Sequence, residues 1–146
     1  MRLSTQSRYG TMLMLELALN YNKGNVFLKD VAREEVISEK YLSQLVIPLK
    51  ARDFISATRG ANGGYRLMKN PSLITIKDIV QTLEGTFSLV ECVKNPSVCK
   101  RPTDCAARNI WEILDKKVSD TLGSVTLENL VKIERKKNNV NPIKKE

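Results

Sequence analysis

The sequence predicts a mainly α-helical domain with one small β-hairpin. Between positions 38 and 49, apolar residues recur at the spacing of one helix face. After Phe54, apolar and polar residues alternate in two short segments. A turn rich in glycine, with Arg59 near its tip, lies between them. A helix followed directly by a basic hairpin is typical of a winged helix-turn-helix domain. In such domains the helix enters a major groove of DNA, and the wing touches the flanking backbone or the minor groove.

The helix that starts after Ser38 is predicted to have one apolar and one polar face. Ser38 can cap its N-terminus. Pro48 should kink the helix rather than end it, because the apolar stripe continues through Leu49. Side chains of the polar face have a size and polarity that suit base edges and phosphates. With the arginine of the hairpin tip, the predicted DNA-contacting residues are Ser38, Lys40, Tyr41, Ser43, Gln44 and Arg59.

The other helices are predicted from periodicity and capping residues. One spans residues 1–22 with two apolar faces, and a short one spans residues 28–35. A further helix begins at a capping box of Thr75 and Asp78 and ends at Gly85. The helix capped by Thr103 has an apolar stripe of about five turns, longer than a small domain can cover, so we expect a homodimer. Its stripe comprises Ala107, Ile110, Trp111, Leu114, Val118 and Leu122.

These elements suggest four parts of the chain. Residues 1–85 would form the winged helix-turn-helix domain, and residues 86–105 a loop that holds cysteines. Residues 103–135 would provide the dimerisation helices. The polar, basic residues 136–146 are expected to be a disordered tail.

Composition favours an anionic partner but does not establish one. The chain of 146 residues has a net charge of +8, yet positions 28–70 hold eight basic residues against five acidic ones. We expect a cytoplasmic protein, because no apolar run is long enough for a membrane span or a signal peptide. We expect no enzyme, because the chain lacks histidine, a phosphate-binding loop and paired carboxylates in a recognisable motif.

Three cysteines, Cys92, Cys99 and Cys105, lie in the segment between the two helical regions. We call them the cysteine triad. They do not follow an apolar stripe, and their neighbours include several cations, which favour the thiolate form that ligates metals. Three thiolates can hold an iron–sulfur cluster or a zinc ion, although zinc motifs generally use more closely spaced pairs. Unligated, redox-active thiols are the remaining alternative.

Several short motifs are shared with a known family. They are Met1–Ser4 with Arg8–Tyr9, Tyr41–Leu42 with Gln44–Leu45, Arg59–Gly60 with Gly63–Tyr65, and the cysteine triad. Up to about Glu134 the chain resembles the Rrf-two (BadM-like) family of bacterial winged-helix regulators. The resemblance implies a homodimeric transcription regulator that binds double-stranded DNA. We expect a palindromic operator, and repression in preference to activation. Within the family, the triad resembles that of the IscR-type iron–sulfur sensors.

The resemblance implies a cluster held by the triad, 2Fe–2S in preference to 4Fe–4S, that reports iron–sulfur status, oxidants or nitric oxide. The first gap of the triad is one residue longer than usual. IscR-type proteins use a histidine where this chain has Arg108, and some relatives use an acidic residue where it has Arg8. The fourth ligand is therefore not identified by the resemblance. The candidates are a small exogenous thiol and the side chains of Glu91, Asp104 and Asn109.

The resemblance is also compatible with a second function. Regulators of cysteine or sulfur metabolism in the same family resemble this chain in the DNA-binding part, generally lack the triad, and are controlled by a protein partner. On this alternative the chain binds no cluster.

Overall fold

A computed structural model describes residues 3–100 and 105–140 of the chain. Within these ranges it contains seven α-helices and one two-stranded sheet, which confirms the predicted fold class. The elements are α1 (Thr5–Leu19), α2 (Leu28–Glu35), α3 (Glu39–Ala51), β1 (Ile55–Thr58), β2 (Gly64–Leu67), α4 (Ile76–Glu84), α5 (Glu91–Lys94), α6 (Ala106–Ser124) and α7 (Leu127–Val140). Short 3-10 turns at Pro71–Leu73 and Pro96–Val98 complete the order.

The hydrophobic core lies where α1, α3 and α4 meet. Leu13 of α1, Leu42 and Leu49 of α3, and Ile79 of α4 are fully buried. Helices α1 and α4 pack so closely at Gly10 that an added Cβ would lie 2.2 Å from Cδ1 of Leu83. The apolar stripe predicted for the α3 segment therefore faces the core, and its polar face is left to solvent.

A hydrogen-bonded network fastens the start of α1 to the end of α4. Ser4 caps α1, and its backbone N and Oγ donate to Oε1 of Glu84 at 3.1 Å and 2.6 Å. The buried Ser7 donates its hydroxyl to the same oxygen. Partial burial raises the pKa of Glu84, but the hydrogen bonds from Ser4 and Ser7 outweigh it and hold that pKa below its ordinary value.

The turn between α2 and α3 contains an unusual backbone conformation. Val36 follows α2 with φ of 54° and ψ of 48°, the left-handed region that β-branched residues rarely adopt. Its amide donates to Ala32, and Ile37 donates to the same carbonyl at 2.9 Å. The turn leads into Ser38, whose side chain caps α3 as predicted. Helix α3 then continues past Pro48 to Ala51, so the proline does not end it.

The predicted hairpin is present, with β1 antiparallel to β2 and Ile55 opposite Leu67. Its turn requires glycine, since Gly60 has φ of +104° and Gly64 has φ of +118°. Tyr65 also exchanges two backbone hydrogen bonds of 2.8 Å with Val26, from the segment before α2. The wing is therefore anchored to the helix-turn-helix unit on one side.

Two capping boxes fix the starts of α4 and α7. Thr75 and Asp78 form the predicted box, in which Asp78 Oδ2 accepts from the Thr75 amide at 2.9 Å, and Gly85 ends α4 as expected. At the start of α7, Thr126 and Asn129 make the same reciprocal arrangement. No helix within the described ranges is long and apolar enough to span a membrane.

Helix α7 extends further than the composition predicts. The expected disordered tail is wrong for residues 136–140, because α7 continues through Val140. Buried Leu127 and Val131 hold its first turns, and helix formation then propagates cooperatively into the lysine-rich end. Helix α6 ends at Ser124. The cap predicted at Thr103, the first two residues and the rest of the tail lie outside the described residues.

Candidate DNA interface and cysteine segment

The exposed face of α3 presents most of the residues predicted to contact DNA. Lys40, Ser43 and Gln44 are exposed and lie opposite the buried stripe of the helix. The hydroxyl of Ser43 donates to the carbonyl oxygen of Glu39 at 2.9 Å, which leaves its oxygen available as an acceptor. Ser38 is exposed too, but its Oγ accepts from the Tyr41 amide at 3.3 Å. Ser38 therefore positions the helix as well as flanking the candidate interface.

Tyr41 packs at the edge of this face. Its ring is half-buried and meets the ring of Tyr9 edge to face, with centroids 5.9 Å apart. The guanidinium of Arg8 lies 4.7 Å from the centre of the Tyr9 ring and donates to its hydroxyl at 2.9 Å. Arg8 is thus an exposed cation near α3. The sequence alone does not indicate this position of Arg8, because nothing in it shows that Tyr9 contacts Tyr41.

A groove of about 490 Å³ separates α3 from the wing. Three cationic side chains line it: Lys29 at the start of α2, Lys50 at the end of α3, and Arg59 at the wing tip. Glu39 and Ser43 line it as well. The structure therefore places Arg59 and Ser43 on one basic groove. It adds Lys29 and Lys50, which no local pattern singles out because they are distant in sequence and converge only in the fold.

Helix α6 presents an apolar surface to solvent. In the part of the monomer that the structure describes, none of the 19 residues of α6 is buried. Ile110, Trp111, Ile113 and Leu114 remain between 37% and 50% exposed. The predicted stripe is therefore exposed over its first half, whereas Val118 and Leu122 of the same stripe are half-buried. We name Ile110, Trp111, Ile113 and Leu114 the α6 face.

The cysteine triad lies on short elements between α4 and α6. Cys92 is in α5, Cys99 follows the second 3-10 turn, and Cys105 is the residue immediately before α6. The expectation of an irregular loop is thus only partly right, since α5 and the 3-10 turn are ordered elements. All three thiols are half-buried and none forms a disulfide.

The start of this segment is fastened to α6 by Asp115. Its Oδ2 accepts from the hydroxyl of Ser88 at 2.6 Å, and its Oδ1 accepts from the Leu89 amide at 2.7 Å. At the other end, Cys105 leads directly into α6. The segment with the three thiols is therefore connected to α6 at both of its ends.

The fit of the triad to a metal has a chemical and a geometric part. Three thiols in one segment are a suitable donor set for an iron–sulfur cluster. Within residues 3–100 and 105–140, however, no three Cys, His, Asp or Glu side chains lie close enough together to hold a metal ion. Of the predicted fourth ligands, Glu91 and Asn109 are exposed, and Asp104 lies outside the described residues. Arg108 forms an ion pair of 2.8 Å with Glu112.

The capped helix α3, its exposed polar face and the adjacent basic wing define a winged helix-turn-helix DNA-binding protein. Comparison with known proteins specifies the group. Residues 3–133 match the model of the Rrf2 family, described as "Iron-dependent Transcriptional regulator". The chain belongs to the Rrf2 family. It is accordingly a transcription regulator and not an enzyme.

Individual relatives are similar over most of their length. The transcriptional regulator CymR of Bacillus subtilis is 39% identical over 130 residues, which are 89% of each chain. The solved structure of CymR, described as the global cysteine regulator of B. subtilis, has a TM-score of 0.81 at 38% identity and covers 91% of this chain and 98% of its own. The structure of IscR from T. potens has a TM-score of 0.76 at 30% identity, and the match covers 92% of this chain and 88% of the IscR chain.

Proposed function

We propose that this protein is a homodimeric repressor that binds a palindromic operator and is controlled by an iron–sulfur cluster on the cysteine triad. One observation supports the sensory part most directly: the three thiols lie on a segment connected at both ends to α6, the helix we assign to the dimer. The DNA-binding part is supported by the polar face of α3 and the basic groove beside it.

In the DNA-binding part, α3 enters the major groove and the wing follows the backbone into the minor groove. Gln44 is exposed, and its amide can pair bidentately with adenine. Arg59, at the tip of a glycine-rich turn, suits a narrow minor groove with its enhanced negative potential. Lys40, Ser43, Lys29 and Lys50 then contact phosphates at the edges of the groove.

The experiment for this part is operator selection with the purified protein, followed by titration. Arg59→Ala should weaken operator binding by roughly 1–3 kcal/mol. Gln44→Ala should relax discrimination at one base pair in each half-site. Lys136→Ala is the matched control, since it removes an exposed cation of α7 that does not line the groove and should act mainly through the salt dependence. Equal affinity of wild type and Arg59→Ala would rule out the wing contact.

The dimer is proposed through the α6 face. Large apolar side chains left exposed over neighbouring turns lose contact with water when a second copy covers them. A twofold axis across α6 would present two copies of α3 to successive half-sites, which is why the operator should be palindromic.

The thiolates of Cys92, Cys99 and Cys105 would hold the cluster, which supplies iron that reacts with oxidants or nitric oxide. Because the described residues do not assemble three ligands, loading must rearrange the segment between Leu89 and α6. Asp115 transmits this rearrangement, since its carboxylate holds the start of the segment on α6. The result is a change in how the two copies of α3 are spaced.

Anaerobic reconstitution tests the cluster. Wild-type protein should acquire visible absorption with bound iron and sulfide, and any one Cys→Ala change should abolish it while the dimer persists. Ser97→Ala, which alters a hydroxyl in the same segment, is the matched control and should load normally. A colourless wild type without iron and sulfide would contradict the sensor, and stoichiometric zinc would instead favour a structural metal.

A second candidate is a cluster-free regulator of cysteine or sulfur metabolism that is controlled by a protein partner. Two observations favour it: the described residues place no three metal ligands together, and the chain is 39% identical to CymR. On this candidate the three Cys→Ala variants bind the operator as the wild type does, with or without reconstitution. Only a partner protein changes the affinity.

A further inference from the structure

We propose that Ile47 determines part of the base specificity by contacting the C5-methyl group of a thymine in the major groove. The inference rests on the proposed function, because it assumes that α3 enters the groove. It assigns a role in base recognition to an apolar side chain, which hydrogen-bonding capacity alone would not identify.

The position of Ile47 on α3 supports the assignment. Lys40, Ser43, Gln44 and Ile47 follow the spacing of one helix face, and Ile47 lies near the middle of that face. The buried stripe of Leu42, Leu45, Val46 and Leu49 lies on the opposite side. Ile47 is 68% exposed, so the core does not account for an isoleucine at this position.

The chemistry of the groove indicates the ligand. Among the four bases, only thymine presents a methyl group at the major-groove edge, and apolar side chains recognise it by contact. Ile47 lies three residues beyond Gln44, about 4.5 Å along the helix axis. Base pairs are stacked about 3.4 Å apart, so Ile47 would reach the pair next to the one that Gln44 contacts. A contact with thymine removes apolar surface of both groups from water.

Replacing thymine by uracil tests the contact, since it deletes the methyl group and leaves the base pairing unchanged. On the operator selected by the wild type, each thymine of a half-site is replaced in turn, together with its symmetry mate. We expect one position at which wild-type affinity falls by about fourfold per half-site, the factor that corresponds to burial of one methyl group. Ile47→Ala should bind the thymine and uracil operators equally, and Ile47→Val should retain an intermediate discrimination.

The outcomes separate this inference from the proposed function. A wild type that selects an operator but does not discriminate thymine from uracil at any position overturns the Ile47 contact alone. Discrimination that persists in Ile47→Ala overturns it as well. A change in oligomeric state in Ile47→Ala, with discrimination unaltered, would assign Ile47 to a protein interface. A wild type that selects no DNA sequence overturns the proposed function and the inference together.

Discussion

The α6 face allows a quantitative prediction for the variant Ile110→Ala. Full burial of an isoleucine side chain stabilises by about 1.5–3 kcal/mol, and Ile110 is 48% exposed in the monomer. Covering the remainder in a dimer therefore contributes about 1 kcal/mol per subunit and about 2 kcal/mol per symmetric dimer. The dimer dissociation constant of Ile110→Ala should rise roughly 30-fold. The fold should persist, because no residue of α6 is buried in the core.

Sedimentation velocity over a dilution series measures this constant. Leu73→Ala is the matched control, since it truncates an apolar side chain that is 71% exposed and belongs to the 3-10 turn instead of α6. The control should dimerise as the wild type does, and circular dichroism should report equal helix content for all three proteins. Equal dissociation constants for wild type and Ile110→Ala would refute the assignment of the α6 face to the dimer.

Three further variants test other parts of the account. The pKa of Glu84 is lower in the folded state than its ordinary value of 4.5. Ionised Glu84 therefore stabilises the fold at pH values above 4.5, and this stabilisation is lost as the pH falls below that value. Thermal unfolding of Glu84→Gln should therefore depend less steeply on pH there than the wild type. Val36→Gly should raise the free energy of unfolding by about 0.5–1 kcal/mol, since glycine adopts the left-handed region without strain. An unchanged midpoint of chemical denaturation would argue against strain at Val36. Asp115→Ala should leave the dimer intact but reduce the effect of cluster loading on operator affinity. An undiminished effect would exclude Asp115 as the connection.

Local chemistry explains what the sequence predicted correctly. The capping box of Thr75 and Asp78 involves residues three positions apart, and the hairpin turn is determined by a few glycines. The buried stripe of α3 follows from helical periodicity alone. Such features depend on near neighbours, so they can be inferred without knowing the rest of the fold.

Features that depend on distant residues were not predictable in the same way. Lys29 and Lys50 join Arg59 on one groove only because α2, α3 and the wing converge. Asp115 lies 26 residues beyond the amide of Leu89 that it accepts from, and its sequence neighbours give no sign of the contact. The extension of α7 through Val140 was missed because composition indicated a charged tail. Packing of Leu127 and Val131 stabilises the first turns of the helix, and helix formation propagates from them.

The most direct test of the central claim is one fluorescence anisotropy titration of the selected operator, made under anaerobic conditions before and after cluster loading of the same preparation. We expect the dimer to bind the operator more tightly than a shuffled duplex. Cluster loading should change its affinity for the operator by at least about tenfold, or about 1.4 kcal/mol. The Cys99→Ala variant should bind with one affinity throughout. Identical titration curves for wild type before and after loading, or equal affinity for the operator and the shuffled duplex, would contradict the account.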